Sequence, residues 1–212
     1  MQAFAEPGRN VPIEAEYDVC VLGGGVAGAA AALAAAREGA RTCLIEKEYA
    51  LGGLATLGLI VIYLPLCDGN GRQVIAGISE EFLRASLKYG PGNLPDCWRE
   101  GGDPAARQQE RYQTRYEAAS LTLALEELLL SAGVTLWYDT RLCAAVCAAG
   151  RVQGVIVENK SGRLGIRAKA FVDATGDADL CYMAGEATVS LATNVRTGWY
   201  FSGGGAGVRL HQ

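Results

Sequence analysis

The chain has 212 residues; half of them are hydrophobic, a fifth are charged, and the formal net charge is −4. This composition supports a globular fold with a sizeable core, and the length suffices for one full domain and part of a second. The absence of a basic patch argues against a nucleic-acid-binding protein, and no window holds the roughly eighteen uncharged apolar residues that a membrane span requires.

The first predicted elements form a βαβ unit. Residues 1–16 have no apolar signal segment and are expected to be a loose lead-in. Residues 17–22 (YDVCVL) are a short apolar run, typical of a buried strand, and the alanine-rich stretch 26–38 favours a helix that Gly39 ends. Residues 41–46 (RTCLIE) predict a second strand. Two strands joined by a helix of this length predict a right-handed parallel βαβ unit.

The middle of the chain combines a long loop with two amphipathic helices. Residues 52–71 are glycine-rich and apolar, which predicts a long functional loop. Helical spacing of apolar residues predicts a helix within 74–89 and another over 112–132, the second stopped by Gly133. Residues 134–138 then predict a third strand.

Short strands dominate the region that follows. The runs 142–147, 152–158 and 164–169 are joined by turn-forming residues and predict an antiparallel β-meander. Residues 170–174 (AFVDA) predict one more buried strand. The sequence therefore predicts an α/β fold, in which a Rossmann-type parallel sheet carries the meander as an insert at 142–169.

A glycine turn follows the first strand and indicates a phosphate-binding site. Its Gly-x-Gly-x-x-Gly pattern assigns Gly23 to the tight turn, Gly25 to close approach of a pyrophosphate, and Gly28 to close packing of helix on strand. The helix then offers free amide donors and a positive dipole end from Val26 and Ala27 onward. The alternative interpretation is a glycine turn of an α/β domain that binds no ligand.

Glu46 strengthens the nucleotide-binding interpretation. It ends the second strand, 18 residues beyond Gly28, where an acid accepts hydrogen bonds from the adenosine ribose hydroxyls. A carboxylate there also repels a 2′-phosphate. The sequence thus favours FAD or NAD over NADP.

Three segments, taken together, resemble a known family. They are 18–47 (DVCVLGGGVAGAAAALAAAREGARTCLIEK), 51–56 (LGGLAT) and 171–180 (FVDATGDADL). In order and spacing they are similar to FAD-dependent oxidoreductases of the two-dinucleotide-binding type. That group includes the glutathione-reductase-like and fumarate-reductase-like flavoproteins and the bacterial FAD-dependent oxidoreductases. The resemblance covers residues 17–185 and implies an FAD-binding Rossmann domain over 17–190.

The resemblance also implies roles for individual residues. Gly52 and Gly53 would lie against the flavin diphosphate or ribityl chain, and Val146 would meet the adenine through its backbone. Asp177 would bond a ribityl hydroxyl or order a phosphate-bound water; alternatively, Asp177 and Asp179 only cap a turn before a short helix. The expected cofactor-binding residues are Gly23, Gly25, Val26, Ala27, Gly28, Glu46, Lys47, Gly52, Gly53, Ala55, Thr56, Val146, Ala174, Gly176 and Asp177.

The expected function is that of the FAD-binding domain of a flavin-dependent oxidoreductase acting on a small molecule. Family members are about twice as long, so residues 191–212 would be the start of a substrate domain or a disordered tail. A non-catalytic FAD-binding fragment or truncated product is the alternative. Apolar residues at 57–66 and 199–201 would then be exposed and could support self-association.

Cysteine and histidine usage bears on cofactor attachment and on compartment. Relatives that hold FAD covalently use a histidine near the glycine loop; residues 51–64 contain none, so noncovalent FAD is expected. The chain has seven cysteines, no Cys-x-x-Cys pair and one histidine, His211, so no metal site is predicted and the catalytic acid or base is left unassigned. Cys67 could face the flavin but more simply lies in a turn or core. Reduced thiols and the lack of a signal peptide predict a cytoplasmic protein.

Overall fold

The computed structural model describes residues 8–189, 200–204 and 207–211, the last two ranges as backbone only. In chain order the strands are β1 (Ile13–Leu22), β2 (Thr42–Ile45), β3 (Ile62–Tyr63), β4 (Thr114–Arg115), β5 (Thr135–Trp137), β6 (Arg141–Ala148), β7 (Arg151–Asn159), β8 (Gly162–Asp173), β9 (Tyr200–Gly204) and β10 (Gly207–His211). The α-helices are α1 (Val26–Arg37), α2 (Ile78–Ala85), α3 (Ala118–Ser131) and α4 (Asp179–Met183).

A six-stranded sheet in the order β5-β2-β1-β8-β7-β6 organises the molecule. The strands β5, β2, β1 and β8 are mutually parallel, and β7 and β6 continue the sheet in antiparallel fashion. The predicted α/β class, the parallel βαβ unit over β1, α1 and β2, and the antiparallel meander are therefore confirmed. The meander strands β6 and β7 and the first half of β8 belong to the main sheet.

β8 differs from the prediction. The runs 164–169 and 170–174 were expected to be two strands, but they form one strand of 12 residues, because no turn-forming residue separates Lys169 from Ala170. The first half of β8 pairs with β7, and β8 pairs with β1 from Ile13 to Leu22. This long partner also draws residues 13–16 into β1, where the sequence predicted a loose lead-in.

The two faces of the sheet bury different sets of apolar side chains. Successive residues of a strand point to opposite faces, so Val21 packs on one side and Cys20 and Leu22 on the other. The first side is covered by α1 and α3, with Leu33, Leu44, Leu121, Leu125 and Leu129 in its core. On the second side, side chains of β2, β7, β8 and α4 form one buried cluster, with Ile45, Val155, Val157, Ile166 and Leu180.

Both amphipathic helices are shorter than predicted. α2 starts at Ile78 because Gly77 before it has a φ of +68°. α3 starts at Ala118, because residues 112–116 alternate between buried and exposed and place β4 beside β3. Gly133 follows α3 with a φ of +83°, as the sequence predicted.

A small third core is formed by residues that lie between β2 and α3 in the sequence. Trp98 stacks on Tyr112 with ring centroids 4.7 Å apart, and Leu66, Cys67, Leu83, Leu94 and Cys97 are buried around them.

Near the end of the chain β9 and β10 pair as an antiparallel hairpin, where no regular element was predicted. Within the described ranges, no helix has the length and apolar character needed to cross a membrane.

Candidate functional site

The candidate site lies at the carboxyl edge of the parallel strands. The register aligns Leu22 with Ile45 on one side and with Asp173 on the other, so β1, β2 and β8 end together. Gly23 N donates to Ile45 O at 2.8 Å and so starts the glycine turn directly at this edge. Such an edge, beside the first residues of a helix, is where open α/β sheets bind nucleotides.

The three motif glycines meet very different surroundings. Gly23 has a φ of +96°, and a Cβ there would lie 2.3 Å from Ala174 O. A Cβ on Gly28 would lie 1.8 Å from Gly23 O, so α1 packs against the turn only because Gly28 has no side chain. A Cβ on Gly25 would meet no heavy atom within 4 Å. Gly23 and Gly28 thus serve the packing of the turn, whereas Gly25 borders open space.

That open space faces the start of α1. The first amide groups of a helix have no intrahelical acceptor and carry the positive end of the helix dipole. No side chain caps this end, and Val26 and Ala27 are exposed there. The local chemistry is therefore that of an anion site.

Glu46 joins the end of β2 to the glycine turn. Its side chain is buried, Oε2 accepts a hydrogen bond from Gly24 N at 2.6 Å, and Oε1 accepts one from Glu48 N at 2.9 Å. A carboxylate has about four acceptor positions, so each oxygen can accept a further hydrogen bond from a ligand hydroxyl. Lys47 next to it is exposed.

The loop after β2 packs directly on the glycine turn. Gly52 N donates to Gly24 O at 2.8 Å, and the Cβ position of Gly53 lies 3.3 Å from the Gly25 Cα. The structure therefore brings Gly52 and Gly53 to Gly25, from 27 and 28 residues away in sequence. Thr56 is buried, and its hydroxyl donates to Leu51 O at 2.5 Å. This hydrogen bond connects residue 56 to the start of the loop.

The turn after β8 completes the edge. Ala174 N donates to Leu22 O at 2.8 Å, and Ala174 O lies against Gly23. Gly176 has a φ of +92° with open space at its Cβ position, and Asp177 is exposed. Both residues are therefore accessible to solvent just after the end of β8.

Asp173 is the site residue that sequence reasoning missed. Its Oδ1 accepts hydrogen bonds from Thr175 Oγ1 at 2.7 Å and Thr175 N at 3.1 Å, and its Oδ2 accepts one from Cys181 N at 3.0 Å. Burial raises the pKa of Asp173, but these hydrogen bonds outweigh burial and set it below its usual value. Thr175 Oγ1 in turn accepts from Asp179 N at 2.9 Å. Asp173 and Thr175 therefore order the turn.

Val146 lies on β6 opposite Gly154 and is partly exposed. Glu46, at the carboxyl edge of the sheet, lies next to the start of β6 and not to Val146. Thr140 N, one residue before β6, donates to Glu46 O at 3.1 Å. At about 3.3 Å per residue, Val146 is roughly 16 Å further along the strand than Arg141. The adenine contact of Val146 stays a prediction.

The cysteines contribute no disulfide to this site. All seven are free, and Cys67 is buried in the third core, where its Sγ accepts a hydrogen bond from Tyr112 N at 3.3 Å. This is the core placement that was the simpler interpretation of Cys67. In the part of the chain that the structure describes, no three or more His, Cys, Asp or Glu side chains are grouped to hold a metal ion.

Apolar side chains are exposed beside the site, as the sequence predicted for part of 57–66. Leu57, Leu59, Ile60 and Leu64 are each more than half exposed, whereas Leu66 is buried. The other expected apolar patch, 199–201, lies outside the residues whose side chains are described. Self-association through this surface stays a prediction.

Known proteins share both the sequence pattern and the fold. A digeranylgeranylglycerophospholipid reductase from Picrophilus torridus is 28% identical over 86% of this chain and 45% of its own length. An uncharacterised protein from the nifH2 5′ region of Methanosarcina barkeri is 29% identical over 77% of this chain and 84% of its own. The chain thus spans less than half of the reductases it matches.

Solved structures agree on the fold. A geranylgeranyl bacteriochlorophyll reductase-like protein from Thermoplasma acidophilum superposes with a TM-score of 0.57 at 24% identity, covering 84% of this chain and 44% of that protein. THI4 from Thermovibrio ammonificans gives a TM-score of 0.54 at 23% identity, covering 79% of this chain and 61% of that one. The family model of FAD dependent oxidoreductases matches residues 18–194. The chain belongs to this family of FAD-dependent oxidoreductases, and its cofactor is FAD.

Proposed function

We propose that residues 17–190 hold FAD noncovalently, in extended form along the carboxyl edge of β1, and serve an oxidoreductase as its flavin-binding domain. The observation that carries this proposal is the open space at Gly25, in front of the uncapped start of α1. The diphosphate would lie there, because free amides and a positive dipole end favour a doubly charged anion.

The remaining site residues would follow the cofactor in both directions from the diphosphate. On the adenosine side, the Glu46 carboxylate would accept from the ribose hydroxyls, with Lys47 and the backbone of Val146 as further contacts. On the flavin side, the close approach of Gly53 to Gly25 supports a contact with the 52–56 loop. The residues proposed there are Gly52, Gly53, Ala55, Thr56, Ala174, Gly176 and Asp177.

Noncovalent attachment is supported by the chemistry of the loop beside Gly25. Residues 51–64 contain no histidine. The nearest cysteine in sequence, Cys67, has its thiol buried in the third core. Residues 51–67 therefore offer a flavin neither a histidine nor an exposed cysteine thiol for covalent attachment.

Bound FAD would supply the redox chemistry, because an isoalloxazine ring exchanges electrons with a donor and an acceptor. The chain's own contribution would be to orient the cofactor. Free amides at the start of α1 would bind the diphosphate, Glu46 would fix the ribose, and the 52–60 loop would set the position of the ring. For the whole protein we likewise propose oxidoreductase activity with a small-molecule substrate or electron donor.

Titration of the apo-protein with FAD, FMN and NAD, followed by flavin fluorescence or calorimetry, tests the cofactor assignment. We expect FAD to bind tightly and FMN weakly, because FMN lacks the adenosine that Glu46 would hold. Acid precipitation should release the flavin into the supernatant. Flavin that stays in the pellet would contradict noncovalent attachment, and uptake of NAD without FAD would contradict the whole site.

Turnover needs its own measurement. Bleaching of the bound flavin by an electron donor, and recovery of its absorbance with an acceptor, would support the oxidoreductase role. A protein that binds FAD but whose flavin is not reduced by any donor would instead support the alternative of FAD binding without catalysis.

A further inference from the structure

Tyr116 lies beneath the loop that packs on the glycine turn. Its phenol oxygen is 2.9 Å from Ala55 O and 2.9 Å from Ile60 O. A phenol has one proton, so the hydroxyl donates to one carbonyl at a time and is shared between the two. Its backbone N–H donates to Val61 O at 3.2 Å. Tyr116 thus contacts both ends of the segment 55–60.

The loop has its own internal turn but little packing of its own. Gly58 N donates to Gly53 O at 3.1 Å and Ile60 N to Leu54 O at 3.0 Å, which makes 53–60 a compact turn. Four of its apolar side chains are more than half exposed, namely Leu54, Leu57, Leu59 and Ile60. Within the turn Ala55 packs against the core and Thr56 is buried, so a small buried contact and hydrogen bonds to the protein body together set the position of the turn.

The Tyr116 side chain is fixed by its own surroundings. It is buried in the core on the α1 and α3 side of the sheet, and its ring lies 6.4 Å from that of Tyr63. Burial raises the pKa of Tyr116 to about 12, so the hydroxyl remains a proton donor at all physiological pH values. A buried hydroxyl that contacts two carbonyls of a mostly exposed turn can fix the position of that turn relative to the sheet.

We propose that Tyr116 is a positioning residue, whose hydroxyl holds the 52–60 loop in the place where it meets the flavin end of FAD. The inference rests on the proposed function, since the loop starts at Gly52 and Gly53 against Gly25. Tyr116 itself touches no cofactor in this proposal. It acts through the backbone carbonyls of Ala55 and Ile60.

The variant Tyr116→Phe removes the hydroxyl and keeps the ring. Tyr63→Phe is a matched control, because Tyr63 is a half-buried tyrosine in contact with the same core, and its hydroxyl donates elsewhere, to Ser79 O at 2.6 Å. Both variants lose one phenol hydrogen bond. Only the first should release the loop.

Two measurements separate a positioning role from a purely structural one. In the FAD-free chain, hydrogen exchange of the amides in 54–61 should accelerate in Tyr116→Phe and stay at the parent rate in Tyr63→Phe. FAD should bind Tyr116→Phe about threefold to tenfold more weakly, the change expected from one hydrogen bond. FAD affinity of Tyr63→Phe should equal that of the parent.

Unchanged exchange of 54–61 in Tyr116→Phe would overturn the proposal, and so would an equal loss of FAD affinity in both variants. The exchange measurement needs no cofactor. If the parent chain binds no FAD, the proposed function fails, while the effect of Tyr116 on the loop is still decided by exchange.

Discussion

Gly25 and Gly28 belong to one turn, yet the structure predicts opposite consequences when each is replaced by alanine. Gly25 has φ −62° and ψ 176°, which any L-residue adopts, and its Cβ would enter open space. The Cβ of alanine at 28 would lie 1.8 Å from Gly23 O and must push α1 away from the turn. The first variant should therefore fold like the parent and the second should not.

The magnitudes follow from these contacts. Gly25→Ala should change the free energy of unfolding by no more than about 0.5 kcal/mol, as expected for a substitution that touches nothing. Its methyl group would occupy the diphosphate space and cost at least one charge-assisted hydrogen bond, about 1.5–3 kcal/mol, or roughly tenfold to hundredfold in FAD affinity. Gly28→Ala should lose about 1–3 kcal/mol to overpacking, of which better helix propensity returns at most about 1 kcal/mol.

Urea unfolding of the FAD-free chain measures the first quantity, and flavin fluorescence titration measures the second. Gly39→Ala serves as a control, because Gly39 follows the opposite end of α1 with a φ of +85° and open space around it. That variant should lose about 1 kcal/mol of stability and keep its FAD affinity. The reasoning is refuted if Gly25→Ala binds FAD as tightly as the parent, or if it destabilises the chain as much as Gly28→Ala.

Two further substitutions probe the carboxylates at the strand ends. Glu46→Ala should weaken FAD by about 1.5–3 kcal/mol in a fluorescence titration, and it should also destabilise the FAD-free chain, because Gly24 N and Glu48 N lose their acceptor; equal affinity in variant and parent would remove Glu46 from the site. The lowered pKa of Asp173 makes its contribution to stability complete above about pH 3.9, and that contribution is lost as pH falls further, through the folded-state pKa. Asp173→Asn should therefore be less stable than the parent at neutral pH, with a difference that shrinks on acidification; a difference that stays constant from pH 6 to pH 3 in urea titrations would argue against this role.

The sequence by itself determined the features that are written in neighbouring residues. The glycine spacing after an apolar run, the alanine-rich helix and the acid at the end of the second strand predicted the βαβ unit and its nucleotide site. They did so because a strand–turn–helix needs particular residue types at fixed short separations. The meander was equally local, since turn residues separate its strands. The resemblance in three segments then predicted FAD as the cofactor, and the family match confirmed this prediction.

Only the tertiary structure decided which residues across the chain support that site. β1 extends back to Ile13 because it pairs with β8 from Gly165 to Asp173, a long-range contact that apolar runs do not reveal. Asp173 accepts hydrogen bonds within its own turn and fixes it, whereas the more conspicuous Asp177 is simply exposed. No local sequence pattern singles out Tyr116, and the role proposed for its hydroxyl depends on folding, which brings Ala55 O and Ile60 O to it. A hydrogen-bond partner some 60 residues away leaves no trace in local periodicity, since that pattern records which face is buried and not what lies against it.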